Sequence, residues 1–327
     1  MLPDHEFLKA SSLAEVVDVL ANESRDLKLM AGGTDVIFNM RGRLFEPDVL
    51  VSVSDVPEMQ TVALTDDGAL SLGAGCRLTD LESSPLVAGV PGLADGLRAV
   101  ASRHVRNVAT LGGNLNLDTR CWYTNQTEEW RAAKGPCLKT DVDVCHAIKN
   151  SPVCVALNAS DTAPALIALH AEVELVSSHG SRLIPLAEYY TDDGIQHTVR
   201  RCDEIMVRVI VPATRDRMVY IKETARKGND FAYATIAVSA DGAGEQCSRI
   251  TIVLGSLGTR PMILFNAAAC AVSQGLGDEG IEAAVAVVRD ELGVLTNLYT
   301  PAAYKGRMAR SLVREALRRL RRQEANP

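Results

Sequence analysis

The sequence predicts an α+β fold, with a small α/β unit at the N-terminus and an antiparallel sheet with helices at the C-terminus. Three observations predict it. Residues 1–55 read strand, helix, strand at lengths suited to parallel pairing. Two glycine pairs, Gly32-Gly33 and Gly112-Gly113, mark turns at which backbone can come close to a neighbour. Ala234–Ala240 and Arg249–Gly255 flank Asp241-Gly242-Ala243-Gly244, the pattern of two strands joined by a turn.

The 327 residues, 47% hydrophobic and 23% charged, have the make-up of a folded globular chain with room for several subdomains. A formal net charge of −7 argues against a nucleic-acid binder. No apolar run approaches the ~18 residues that span a bilayer. Met1-Leu2-Pro3-Asp4-His5-Glu6 lacks the basic segment and apolar core of a signal peptide, so the expected location is cytoplasmic. In a reducing compartment clustered cysteines favour metal or redox roles over disulfides.

In chain order, Ser12-Leu13-Ala14-Glu15 is a capping box and predicts a helix over 12–22. Leu27–Met30 reads as a strand running into Ala31-Gly32-Gly33-Thr34-Asp35. Such a turn offers backbone N–H groups to an anion, although this pentapeptide alone favours a plain strand-to-helix turn. Val36–Met40 reads as helix and Val49–Val53 as strand. Leu70–Ala74 is another strand, and Thr79-Asp80-Leu81-Glu82 a second capping box. Gly73-Ala74-Gly75 lacks the third glycine of a nucleotide fingerprint and is taken as a turn. Gly92–Ser102 has helical periodicity, and Arg103-His104-Val105-Arg106 is a basic connection with a structural histidine.

Thr110 to Cys154 is the stretch richest in chemistry. Thr110-Leu111-Gly112-Gly113-Asn114 is the second glycine turn; with the first it forms a pair able to clamp one diphosphate from two sides. Neither turn is a G-x-G-x-x-G or G-x-x-x-x-G-K-[ST] loop, so neither a Rossmann nicotinamide site nor an ATP loop is supported. Four of eight cysteines, Cys121, Cys137, Cys145 and Cys154, fall here with both tryptophans, Trp122 and Trp130. Four thiolates suit a cubane, one per iron. They also suit zinc, although zinc sites favour close Cys-x-x-Cys pairs. Spacing alone leaves both open. His146 adjoins Cys145 and is read as lying outside the ligand set.

Farther on, Ala165–Leu175 is apolar with β character, Arg182–Pro185 continues it, and Val207–Val211 is a strand ending at Pro212. Gly280–Leu292 reads as helix. The last helix, Tyr304–Arg322, places Ala309, Leu312, Val313, Ala316, Leu317 and Leu320 on one face and arginines on the other. Cys76, Cys202, Cys247 and Cys270 are scattered and read as structural thiols. No nucleophile triad or paired carboxylates stand out, so no catalytic residue is expected in this chain and its chemistry falls to cofactors.

Ala31-Gly32-Gly33-Thr34-Asp35, Thr110-Leu111-Gly112-Gly113-Asn114 and Ser160-Asp161-x-x-Pro164, in this order, resemble the FAD-binding medium subunits of the xanthine dehydrogenase and molybdenum hydroxylase family. The resemblance covers nearly the whole chain, including Lys222–Asp230 and Tyr304-Lys305. It implies a PCMH-type, vanillyl-alcohol-oxidase-like FAD-binding fold of two subdomains, 1–55 and 56–212, and a CO-dehydrogenase-flavoprotein-like domain over 213–327. It also implies FAD contacts at Ala31, Gly32, Gly33, Thr34, Asp35, Thr110, Gly112, Gly113, Asn114 and Asp161. Lys222 is expected near the flavin or a subunit contact, with a solvated strand face as the alternative. Where relatives have Ser, this chain has Asp35.

The insertion at about 116–158 closely resembles that of 4-hydroxybenzoyl-CoA reductase β subunits, which holds a 4Fe-4S cluster beside the FAD. This implies Cys121, Cys137, Cys145 and Cys154 as ligands. It further implies a large molybdopterin subunit and a small 2Fe-2S subunit, assembled as a dimer of heterotrimers. Electrons would enter from ferredoxin or another low-potential carrier and remove the phenolic hydroxyl of an aromatic CoA thioester on the large subunit. The alternatives are a medium subunit of an enzyme oxidising an aldehyde, N-heterocycle or other substrate, and a zinc-stabilised binding module.

Overall fold

Strand, helix and strand alternate through the first 55 residues as the sequence predicts. The structure is a computed structural model, and it describes residues 1–90, 92–140, 142–226, 228–293 and 300–323. Lys227, within the Lys222–Asp230 stretch, lies outside the described residues. The first sheet is parallel, in the order β1 (Glu6–Lys9), β3 (Val49–Ser52), β2 (Leu27–Met30). Strand β1 is unannounced in the sequence because its four residues are largely exposed and carry no apolar run. Helix Leu13–Asn22 starts where its cap predicts, with Ser12 Oγ accepting from the Glu15 amide at 3.2 Å. The Glu15 carboxylate, however, accepts from the Ser11 amide at 2.7 Å, one residue earlier than a capping box requires.

The second sheet is antiparallel, in the order β4 (Val62–Leu64), β5 (Leu70–Gly73), β8 (Ile205–Val211), β6 (Glu172–Ser177), β7 (Gly180–Pro185). Between β5 and β6 the chain leaves the sheet for residues 74–171, which include the second glycine turn and the cysteines. Several elements here depart from expectation. Helix Leu78–Glu82 begins at Arg77 with no side-chain cap, and the Thr79 hydroxyl donates to Asn107 Oδ1 at 2.9 Å instead of capping. The Gly92–Ser102 helix shortens to Leu93–Arg98, and Arg103–Arg106 is a helical turn capped by Ser102. The expected strand at Ala165 is the wholly buried helix Ala163–Ala168, with Pro164 in its first turn. An element apolar on every side has no period by which to separate helix from strand.

The third sheet is antiparallel: β12 (Met262–Ile263), β11 (Ile250–Gly255), β10 (Ala234–Ala240), β9 (Arg217–Glu223). Strands β10 and β11 pair as expected, from Ala240↔Ile250 to Thr235↔Gly255. Their connection is wider than a four-residue turn, because the Asp241 carboxylate accepts from the Ser248 and Arg249 amides at 2.8 and 3.0 Å. Helices Phe265–Gln274, Asp278–Glu291 and Ala302–Arg321 cover one face. The first of these was not anticipated from the sequence. Ala309, Leu312, Val313, Ala316, Leu317 and Leu320 of the last helix are buried against Ile236, Val238, Ile252 and Leu254. Ala237 and Val253 on the opposite face join the core of the other two sheets. The arginines of the last helix meet its neighbour: Arg314 pairs with Glu282 at 2.6 Å and Arg321 with Asp278 at 2.9 Å. No helix among the described residues is long and apolar enough to cross a membrane.

Candidate functional site

The first glycine turn lies at the end of β2 and opens helix Val36–Arg41. Gly33 has φ +71°, which favours glycine. Gly32 is pressed so closely onto the connection before Thr110 that a Cβ there would stand 1.8 Å from Val108 O. Among the described residues, no backbone carbonyl accepts from the amides of Gly32, Gly33, Thr34 or Asp35. Consecutive open amides form an anion-binding concavity.

The second turn differs. The Thr110 hydroxyl accepts from the Gly113 amide at 3.1 Å and caps helix Leu111–Leu115. The Leu111 and Gly112 amides donate to Cys76 O and Ala74 O, at 3.0 and 2.7 Å. The two turns are neighbours, but these amides are used internally, so the expected two-sided clamp would draw its N–H groups chiefly from the first turn. Asn114 joins the second turn to the Ser-Asp motif. Its Oδ1 accepts from the Ser160 hydroxyl at 2.8 Å and from the Thr162 amide and hydroxyl at 3.2 and 2.7 Å.

Asp161 is buried beside these turns. Its Oδ2 accepts from Lys222 Nζ of β9 at 2.8 Å, and that ammonium also donates to Ala99 O at 2.8 Å. Lys222 therefore does not lie on a solvated strand face. Burial pushes the Asp161 carboxyl up to about 6, against the pull of Lys222. Asp161 Oδ1 has no hydrogen-bond partner among the described residues. A buried acceptor next to the second turn and open amides at the first suit a ligand carrying both hydroxyl and phosphate groups, as FAD does.

The cysteine segment leaves and re-enters the fold at a two-stranded bridge, where Arg120 N donates to Leu157 O at 2.8 Å and Leu157 N to Arg120 O at 2.7 Å. Beyond that neck, Cys121, Cys137, Cys145 and Cys154 line one small cavity together with Tyr123, Leu138, Ala147, Val155 and Ala156. All four are free thiols. Burial raises the Cys121 thiol, and it pushes Cys154 up to about 11 against the pull of Lys139. The Ile148 amide donates to Cys145 Sγ at 3.4 Å, and Thr124 Oγ1 lies 3.7 Å from Cys137 Sγ. His146 also lines this cavity, and its Nε2 is 3.1 and 3.0 Å from Gly135 O and Pro136 O. Among the described residues, no three His, Cys, Asp or Glu side chains converge as a ligand set for a single metal ion.

Asp35 faces this segment. Its Oδ1 pairs with the Arg120 guanidinium, and its Oδ2 accepts from the Asp118 amide at 3.1 Å and from Asn39 Nδ2 at 3.3 Å. Lys139 Nζ bonds Asp118 Oδ1 and Thr119 Oγ1, each at 2.7 Å. Arg120 and Lys139 carried no role in the sequence reading. The only signal for them was the charged flank Asp118-Thr119-Arg120 before Cys121.

Comparison with known proteins identifies the family. Residues 3–214 match the FAD binding domain in molybdopterin dehydrogenase, and residues 219–320 the CO dehydrogenase flavoprotein C-terminal domain. The aldehyde oxidoreductase FAD-binding subunit PaoB of Escherichia coli is 31% identical over 76% of this chain and 80% of its own. The carbon monoxide dehydrogenase medium chain of Hydrogenophaga pseudoflava is 26% identical over 96% of each chain. A solved carbon monoxide dehydrogenase from that organism superposes with a TM-score of 0.80 at 25% identity, covering 97% of each chain. The chain belongs to the FAD-binding medium subunits of the molybdopterin dehydrogenase family, and it is an oxidoreductase subunit.

Proposed function

We propose that this chain is the electron-transfer subunit of a heteromeric molybdenum enzyme, holding FAD on its glycine turns and a 4Fe-4S cluster on Cys121, Cys137, Cys145 and Cys154. The observation that carries the proposal is the convergence of those four thiols, distant in sequence, on one cavity. A single zinc would need its thiolates about 3.8 Å apart, from Zn–S bonds of about 2.3 Å in a tetrahedron. The described side chains do not converge in that way, whereas a cubane takes one thiolate per iron and spreads them wider. When bound, the two groups supply one- and two-electron transfer. The chain's own part is to seat them. The open amides of residues 32–35 receive the diphosphate, Asp161 and Lys222 fix the polar floor, and Leu138, Ala147, Val155 and Ala156 line the pocket beside the thiols.

The resemblance of the insertion at about 116–158 to that of 4-hydroxybenzoyl-CoA reductase β subunits favours an enzyme of that type. Such an enzyme removes a phenolic hydroxyl from an aromatic CoA thioester on a large molybdopterin subunit, fed by ferredoxin and served by a small 2Fe-2S subunit, in a dimer of heterotrimers. The names of the relatives favour a second reading, a medium FAD subunit of an enzyme that oxidises an aldehyde, an N-heterocycle or another substrate. Anaerobic purification of the chain with its partners tests both. Cys137→Ser is expected to remove about four irons and four sulfides per chain, leaving the partner's 2Fe-2S signals in place. One zinc and no such sulfide would overturn the cluster. Turnover of an aromatic CoA thioester with reduced ferredoxin, compared with oxidation of aldehydes or heterocycles by an artificial acceptor, separates the two readings.

A further inference from the structure

The cysteine segment touches the first glycine turn through one side chain. Arg120 ion-pairs with Asp35 and donates to Asn39 Oδ1 at 3.3 Å. Its guanidinium carbon lies 5.7 Å from the ring centre of Phe38 and 5.3 Å from that of Phe231, a loop residue of the third sheet. Both rings are 61% exposed, yet they shade the ion pair, since the side chains of Arg120 and Asp35 are only 17% and 26% exposed. The Arg120 backbone closes the neck, and Cys121 is the next residue. A second arginine of the segment works in parallel. Arg131 donates to Gly42 O and Arg43 O at 2.6 and 2.7 Å, beyond the other end of helix Val36–Arg41. The helix that follows the open amides is thus held at both ends by the segment that carries the thiols.

We propose that Arg120 is a positioning residue of the flavin site: it holds the 31–35 turn in its open-amide form through Asp35, so that FAD affinity responds to whether the thiol pocket is filled. This rests on the reading of 31–35 as the diphosphate turn. A charge-assisted, shaded pair is stronger than a surface ion pair, and any coupling it carries between the two sites is reciprocal.

The test uses the anaerobically purified complex, stripped of FAD and titrated with it. Arg120→Gln is expected to weaken FAD binding about tenfold, Arg120→Lys less. Asp35→Ser, which leaves the neck intact, should match Arg120→Gln. The double variant should be no worse than either single one, the mark of a shared interaction. Unchanged affinity in both single variants, with native circular dichroism, overturns the proposal, as do strictly additive losses. In the parent complex, FAD should bind about tenfold tighter with the pocket loaded than after chelation of its metal, and Arg120→Gln should erase that difference. Equal affinities in the loaded and stripped parent overturn the coupling. A parent without iron or sulfide removes the cluster reading, while the Arg120 and Asp35 titrations still decide the role of Arg120.

Discussion

Gly32 and Cys137 stand for two ways of building a candidate binding site in one chain. At Gly32 the backbone itself is the site, and a single added methyl group would run into Val108 O at 1.8 Å. At Cys137 the site is a side chain on a long excursion, kept in place by neighbours such as Thr140, whose hydroxyl accepts from the Cys137 amide at 2.7 Å. The first kind of site belongs to the fold and tolerates no atom more. The second hangs from it and depends on what fills it. Substitutions in the flavin cradle should therefore cost fold and ligand together, whereas those in the thiol pocket should cost the ligand first.

Gly32→Ala is the severest test. It should destabilise the chain by about 3 kcal/mol or more, read by denaturant unfolding, and abolish FAD retention. Near-normal values of both would break the contrast. Lys222→Met comes next. It leaves Asp161 buried without its cation, which should cost about 3 kcal/mol at neutral pH.

The pH dependence follows from the same pair. The folded Asp161 carboxyl titrates at about 6, above its ordinary 3.8. Its contribution to stability is therefore fully present below the lower value and lost as pH rises through about 6. Asp161→Asn should flatten that part of the stability profile.

Cys137→Ser should bleach the iron absorption, yet keep FAD bound at saturating concentration, with affinity lowered about tenfold. Complete loss of flavin with the fold intact would mean that the two sites are not separable. Thr110→Ala is the mildest change. It removes the cap that accepts from Gly113 and should cost about 1 kcal/mol, with only slight weakening of FAD.

The same contrast explains what was legible in the sequence. Glycine turns, the Ser12 cap and the β10–β11 pair announce themselves because their causes are local. Helix Ala163–Ala168 was read as strand because burial on every side erases its period. The second capping box failed at Thr79 because a distant acceptor, Asn107, took its hydroxyl. The cysteine set was legible as a group from spacing, but its attachment was not. The Asp35–Arg120 contact joins residues 85 positions apart, and nothing local to either residue announces it. The unlike behaviour of the two glycine turns was likewise hidden, since it depends on Ala74 and Cys76 offering carbonyls to one of them.

The neck at Arg120 and Leu157 has an architectural consequence. Departure and return are hydrogen-bonded to each other, so the segment between them has a closed base, and Arg131 adds a second tie to Gly42 and Arg43. Lengthening such a loop even twofold costs only about 0.6 kcal/mol. A flavoprotein scaffold can lengthen or shorten that segment without rethreading its core.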